Sequence, residues 1–292
     1  MTRAHRPRFR AGPLLAETRR LLRRAGLSAR KGLGQHFLVD EAVLQTIVRA
    51  ADLTPEAVVV EVGPGLGILT RELASRAGHV IAVELDGRLA ALLRESLSPF
   101  VNTTVITGDI LNTDTVSLLD CVGAESYKVV ANLPYYVASA VLRHFLEASR
   151  RPESMVVMVQ KEVAEVITAV PGRMSVLSVA VQVYGRPQLV ATVPARCFYP
   201  PPEVDSAILK IDVYAQPRVP PGFTGSFFRL VRAGFSASRK QLPNSLAQGL
   251  GVDKADALSL LEKAGIEARR RAETLTLEDW VRLWEVYSGT HR

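Results

Sequence analysis

The chain has 292 residues, 48% of them hydrophobic and 22% charged, with a net charge of +7. That length suits one large domain and a small one, and the composition is that of an ordinary folded globular protein. No stretch approaches 18 consecutive apolar residues, which excludes a predicted membrane helix.

Cys121 and Cys197 fit no zinc or redox spacing and read as free thiols in a reducing compartment. The five histidines (His5, His36, His79, His144, His291) are too scattered to suggest a metal site, and no internal repeat is visible.

Charge is concentrated at the start of the chain. Residues 1–31 hold ten Arg and Lys against the single Glu17, while the remainder carries 26 basic and 28 acidic residues. A basic arm on a near-neutral body is the footprint of a polyanion binder. An Arg-rich, acid-poor start also suits a transit peptide, although one Ser and a helical spacing of leucines count against it. Residues 1–12 have little to bury. Pro13 to Ala25 reads as an amphipathic helix stopped by Gly26. The next stretch, Ala29 to Leu38, holds the basic pair Arg30-Lys31 and two glycines, and reads locally as a linker with a turn. Asp40 then caps a helix to about Ala51.

Val58 to Val62 (Val-Val-Val-Glu-Val) is the pattern of a strand buried on both faces. Gly63, Gly65 and Gly67 follow at alternate positions, and a helical pattern opens at Ile68. Strand, glycine turn and helix form the first half of a βαβ unit, where backbone can approach a ligand and the helix start favours negative charge. Ile68 stands where a dinucleotide fingerprint needs glycine. The spacing Glu61-x-Gly63-x-Gly65-x-Gly67 instead resembles the S-adenosylmethionine loop of Rossmann-like methyltransferases. The strand 79–83 closes on Glu84, whose carboxylate can accept from ribose hydroxyls. The strand 103–107 leads to Gly108-Asp109, where Asp109 can accept from an adenine amino group. Each residue could separately be tight packing or a solvated strand-end charge. The three in order point to a nucleoside-type ligand.

A fourth strand, 127–131, ends in Asn132-Leu133-Pro134-Tyr135-Tyr136. Asn-x-Pro suits a plain turn, but this one lies where ligands bind in open α/β sheets. An exocyclic adenine amine is a poor nucleophile, because its lone pair is delocalised into the ring. Acceptors aimed at its N–H groups favour the pyramidal, nucleophilic form, and the Asn132 side chain with the Leu133 carbonyl can supply them. Pro134 fixes the turn, and Tyr135 offers a stacking plate for a flipped base.

Further strands and helices follow. A strand is expected at 155–159 and helices at Ala138–Ala148 and from Gln160 to about Val170. Met174 to Tyr184 reads as a buried helix or a strand. Gln188–Val193 and Ser206–Val213 read as an antiparallel pair joined by Phe198-Tyr199-Pro200-Pro201-Pro202-Glu203-Val204-Asp205-Ser206. That stiff loop is either a rigid connection or a mount presenting Phe198 to the base. Residues 217–222 form a Pro/Gly linker, and four helices complete the chain. Arg239-Lys240 at their start suits phosphate contacts or a solvated face. The expected organisation is thus a basic arm and helix (1–31), a Rossmann-like α/β domain (32–216) and a small all-helical domain (222–292).

Gln35-His36-Phe37-Leu38, the Glu61–Gly67 loop, Asn132-Leu133-Pro134-Tyr135, Gln160-Lys161-Glu162, the Phe198–Ser206 loop and Arg271-Ala272-Glu273 together resemble the ribosomal RNA adenine N6-dimethyltransferases. The likeness spans about residues 13–290. It implies a class I S-adenosylmethionine-dependent fold and enzyme. On this family's small-subunit branch, four methyl groups go to two adjacent adenosines in a hairpin loop near the 3′ end of 16S rRNA, within the immature 30S subunit. His36, Leu38, Gly63, Gly65, Glu84, Asp109 and Asn132 would then hold the cofactor. Asn132, Leu133, Pro134, Tyr135 and Phe198 would hold the adenine, and Arg30, Lys31, Arg239 and Lys240 the RNA, so the resemblance makes the helical domain (222–292) RNA-contacting. A cytoplasmic monomer with no metal or membrane partner is expected.

Three departures stand out: His36 where the family often has Asn, a segment shortened after Pro171-Gly172, and Ser238 in place of an arginine. Competing readings are the erythromycin-resistance methyltransferases of 23S rRNA, a mitochondrial transcription factor relative that binds nucleic acid, and a DNA adenine methyltransferase. The last carries an Asn/Asp-Pro-Pro-Tyr box that Asn132-Leu133-Pro134-Tyr135 lacks.

Overall fold

The computed structural model describes residues 12–26, 35–237 and 239–289. A helix α1 (Pro13–Arg24) and a two-residue strand β1 (Phe37–Leu38) precede α2 (Glu41–Ala51). The α/β elements then alternate: β2 (Val58–Val62), α3 (Ile68–Ala74), β3 (His79–Glu84), α4 (Gly87–Ser96), β4 (Thr103–Thr107), α5 (Thr115–Asp120), β5 (Lys128–Asn132), α6 (Ala138–Leu146), β6 (Ser154–Gln160) and α7 (Lys161–Ile167). The short helix α8 (Val176–Gln182) leads into β7 (Gly185–Val193), β8 (Phe198–Tyr199) and β9 (Ser206–Val213). Met174–Tyr184 therefore resolves as a helix, begun by a Ser175–Ser178 capping box.

Seven strands form one sheet in the order β4-β3-β2-β5-β6-β9-β7. The first five are mutually parallel, and β9 is antiparallel to both β6 and β7. Alternate residues of the central strands enter different cores. Val60, Val62, Val129 and Ala131 face α5, α6 and α8, while Val59, Val80 and Val130 face α2 and α3. Burial on both faces is why these strands read as unbroken valine runs rather than an alternation. After β4 the chain crosses back to lay β5 beside β2. The carboxyl ends of β2 and β5 thus flank the point where strand order reverses, and a crevice opens there.

Beyond β9 lie α9 (Thr224–Phe235), α10 (Leu242–Leu250), α11 (Lys254–Lys263) and α12 (Leu277–Gly289). Trp280, wholly buried, packs its ring on Phe235. The helices join the same apolar cluster as the α6–α8 side of the sheet. The 217–222 segment is tied down: Val219 is fully buried, and the Arg218 N–H donates to the Val183 carbonyl at 2.9 Å.

One pairing was not anticipated from the sequence. β1 runs antiparallel to β8, setting Phe37 opposite Tyr199 and Leu38 opposite Phe198. The last two residues of the stretch read as a linker therefore form a strand, which closes one wall of the crevice.

Candidate active site

The crevice is lined by the carboxyl ends of β2, β3 and β5 and by the loop after β4, with β1 as its outer wall. Gly63, Gly65 and Gly67 all adopt left-handed backbone (φ 66°, 58° and 75°). At Gly65 a Cβ would stand 3.1 Å from the Phe37 ring, and at Gly67 2.5 Å from Leu93 Cδ1. The left-handed backbone calls for glycine at both, and a side chain at either would also push on its neighbour.

Glu84 holds this loop. Its Oε2 accepts from the Gly65 N–H at 3.0 Å and its Oε1 from the Asp86 N–H at 2.9 Å. The carboxyl is buried, which raises its pKa, while these N–H bonds pull the other way. Each carboxylate oxygen retains further acceptor capacity for a ligand. Asp109, partly buried, accepts from the Leu111 N–H at 3.0 Å and from Asn112 Nδ2 at 3.2 Å, so its carboxylate is oriented at the crevice edge. Next to Glu84, Leu85 is 54% exposed although it lines the crevice.

Glu61 is a site residue for which no role was read from the sequence. It is 2% exposed, lines the crevice, and its Oε2 has no hydrogen-bond partner among the described residues. Burial pushes its pKa up to about 8, with the Thr70 hydroxyl and Arg71 acting against that rise and the Glu84 charge adding to it. An orphaned buried carboxyl beside a glycine cradle has unused capacity for a polar or cationic ligand group.

At the end of β5, Asn132 Nδ2 donates to the His36 carbonyl at 3.1 Å. The Leu133 N–H donates to the Met158 carbonyl at 3.1 Å, which fixes that peptide. His36 Nδ1 donates to the Pro200 carbonyl at 2.8 Å. The His36 and Tyr135 rings stack, with centroids 5.7 Å apart and planes 23° from parallel. Tyr135 Oη lies 2.6 Å from Ser206 Oγ. Burial raises the Tyr135 phenol pKa, so the hydroxyl stays protonated at neutral pH.

His36, Leu38, Gly63, Gly65, Glu84, Asp109, Asn132, Leu133, Pro134 and Tyr135 therefore converge on one crevice. Phe198 does not reach it. Its ring is 3% exposed and packs with Leu38, Val193 and Cys197 on the inner side of the β1–β8 pair. Phe198 stands directly opposite Leu38, which does line the crevice. Arg239 and Lys240 are exposed between α9 and α10, away from the crevice. Arg30 and Lys31 lie outside the described residues, as does Ser238.

The sequence of the basic helix α1 suggests a polyanion binder or a transit peptide, yet the helix docks on the glycine loop. Leu22 packs with Leu66, Phe37 and Leu89. Glu17 pairs with Arg71 at 2.7 Å, and the Arg19 guanidinium sits 4.9 Å from the Tyr199 ring centroid. Cys197 is buried, its thiol pushed up to about 11 chiefly by burial, and is unreactive there. Among the described residues no group of three His, Cys, Asp or Glu could hold a metal ion, and no helix is long and apolar enough to cross a membrane.

Residues 26–288 match the family described as ribosomal RNA adenine dimethylase. A Dehalococcoides mccartyi (strain 195) protein named ribosomal RNA small subunit methyltransferase A is 53% identical over 277 residues, 94% of each chain. Its namesake from Enterococcus faecalis V583 is 42% identical, covering 92% of this chain and 93% of its own. Among solved structures, the 23S rRNA methyltransferase ErmE superposes with a TM-score of 0.70 at 32% identity, covering 86% of this chain and 99% of its own. A Plasmodium falciparum dimethyladenosine transferase gives 0.75 at 23% identity, over 88% and 98%, and supports the fold.

Proposed function

Since the chain belongs to the ribosomal RNA adenine dimethylase family, we propose that it is a dimethyltransferase of small-subunit (16S) rRNA, acting on two adjacent adenosines near the 3′ end within the immature 30S particle. Relatives bearing the small-subunit name match at 53% identity, whereas the 23S enzyme matches at 32%. The methyl donor that the family implies is S-adenosylmethionine, which when bound supplies an electrophilic methyl group. The residues fit it. Gly63 and Gly65 form a cradle that adds no side chain of its own and is walled by Pro134 and Phe37, Glu84 offers ribose acceptors, Asp109 an acceptor for the base, and Leu85 an apolar face. His36 and Leu38 supply the outer wall.

Asn132 carries the chemistry. Its Nδ2 is committed to the His36 carbonyl, so its Oδ1 is the end available to accept from the adenine amine. That acceptance, shared with the Leu133 carbonyl, draws the nitrogen toward a pyramidal geometry and localises its lone pair. Tyr135 supports the base in a stacked position. The nitrogen gives up a proton after each transfer; Asn132 has no basic site for it, so solvent takes it. Residues 32–216 form the catalytic unit in this reading. The helices of 222–292, with Arg239 and Lys240, and the basic arm with Arg30 and Lys31 contact RNA. The enzyme works as a cytoplasmic monomer.

Incubation with labelled S-adenosylmethionine and purified 30S subunits, 50S subunits or naked 16S and 23S rRNA tests the assignment. Paired dimethyladenosines mapped in 30S-derived RNA are the expected product; modification confined to 23S rRNA would replace it with the rival reading.

A further inference from the structure

Ser206 ends the proline loop and opens β9, and its side chain has no solvent exposure. A buried hydroxyl needs a partner, and the partner here is the phenol of Tyr135, 2.6 Å away. The opposite end of the same loop engages the neighbouring ring, because the Pro200 carbonyl accepts from His36 Nδ1 and His36 stacks on Tyr135. One loop therefore anchors both rings of the crevice wall at points six residues apart.

We propose that Ser206 is a positioning residue for methyl transfer, holding the Tyr135 ring at the tilt that lets a flipped adenine stack while its amine meets Asn132. This rests on the reading of Tyr135 as the base platform. A tyrosine ring turns about two side-chain torsions. A hydrogen bond from its far end to a strand-anchored hydroxyl fixes the first and so the direction of the ring; the oxygen lies on the axis of the second, where the preference of the phenol O–H for the ring plane biases the tilt. Without it the ring samples other tilts, the stacked base follows, and its amine departs from the acceptors. Near-attack geometry is sensitive to displacements of about 1 Å. The proline loop thus contributes to catalysis through its final serine, while its first residue, Phe198, serves the core.

Ser206→Ala, Tyr135→Phe, the double variant and Tyr135→Ala are compared by single-turnover methylation of 30S subunits at saturating S-adenosylmethionine. Thermal unfolding and cofactor affinity are measured alongside. Ser206→Ala and Tyr135→Phe should each slow transfer roughly 3- to 10-fold, the scale of one net hydrogen bond, with cofactor affinity unchanged. The double variant should be no slower than the slower single, since both remove the same bond. A subunit carrying 2-aminopurine at the target position should lose stacking-dependent quenching in the same variants. Ser206→Thr, which keeps the hydroxyl, should recover rate. A lowered melting temperature with a parental rate in Ser206→Ala would make the bond merely structural and overturn the proposal, as would rate losses that multiply in the double variant. Should Ser206→Ala fail to fold, Tyr135→Phe leaves β9 untouched and decides alone: a parental rate overturns. If Tyr135→Ala itself keeps the parental rate, the platform reading has failed; if it is slow while Ser206→Ala and Tyr135→Phe are not, only the role of Ser206 has.

Discussion

The side-chain nitrogen of Asn132 donates to the main-chain oxygen of His36 across 3.1 Å. A carbonyl can only accept, so this bond determines which end of the amide is which. The residue that ends the fourth parallel strand is thereby oriented by a segment almost a hundred positions earlier in the chain.

Asn132→Ala should lower the single-turnover rate by on the order of 10²–10³, the effect of removing one preorganised polar group. RNA affinity should change far less, because the contact is made chiefly as the amine pyramidalises. Asn132→Asp should fare no better. Its carboxylate would set an oxygen against the His36 carbonyl where a donor is needed. Quenched-flow methylation with filter binding on the same samples separates rate from affinity; a parental rate in a folded, cofactor-binding Asn132→Ala protein would move the acceptor role elsewhere.

Glu84→Ala should weaken S-adenosylmethionine binding by about 1.5–3 kcal/mol. Two effects combine: the ribose acceptor is lost, and the Gly65 N–H loses the oxygen that shapes the loop. Glu84→Gln should fall between, since an amide keeps one acceptor oxygen and turns an NH₂ toward one of the two N–H donors. Titration calorimetry reads both. Equal affinity in all three proteins would remove Glu84 from the cofactor site.

Glu61 predicts a pH dependence with a definite sign. Its pKa rises from 4.5 to about 8 on folding, so between those values the native state holds a proton that the unfolded chain has released. Stability from this group is fully present below pH 4.5 and declines as pH rises to about 8, by at most about 1.4 kcal/mol per pH unit. Glu61→Gln, uncharged at every pH, should match the parent in melting temperature near pH 4.5 and exceed it above pH 8. Parallel curves across that range would mean that Glu61 is already ionised in the native protein.

Two truncations should behave differently. Removing residues 1–11 deletes four arginines and no acidic residue, so RNA affinity should fall and its salt dependence flatten, with cofactor affinity preserved. Removing residues 1–26 also strips α1 from the loop, losing the Leu22 contacts with Leu66 and Phe37 and the Glu17–Arg71 pair. Cofactor affinity and melting temperature should then fall too. Leu22→Ala, costing roughly 2 kcal/mol or more for a buried leucine, isolates the packing part. If both truncations leave cofactor binding intact, α1 is only a carrier of charge.

The parallel strands and their terminal residues were legible because each is a local pattern. A valine run followed by glycines, or a strand ending in Glu84, Asp109 or Asn132, fits within about ten residues of sequence. What escaped reading depends on partners far along the chain. Phe198 and Tyr199 are adjacent aromatics, and only pairing with Leu38 and Phe37 decides which turns inward. Nothing near Ser206 in sequence announces Tyr135, and nothing in the charge pattern of α1 distinguishes a docked helix from a free one. The segment after Pro171 is likewise held by a distant partner: the Gly172 and Met174 N–H groups both donate to the Glu273 carbonyl.

The β1–β8 pair also places the site in time. His36 and Pro200 are 164 positions apart, which at a synthesis pace of about 5–20 residues per second separates their appearance by roughly 10–30 s. For the last 68 of those residues, about 3–14 s, a growing chain displays both the glycine loop and the Asn132 turn, while Phe37 has no opposite strand to hold it over Gly65. The crevice becomes a binding site only when the proline loop has emerged, well after the parallel half of the sheet has its strands. A nascent chain halted at residue 180 should accordingly possess the turns that hold the cofactor and retain almost none of its affinity.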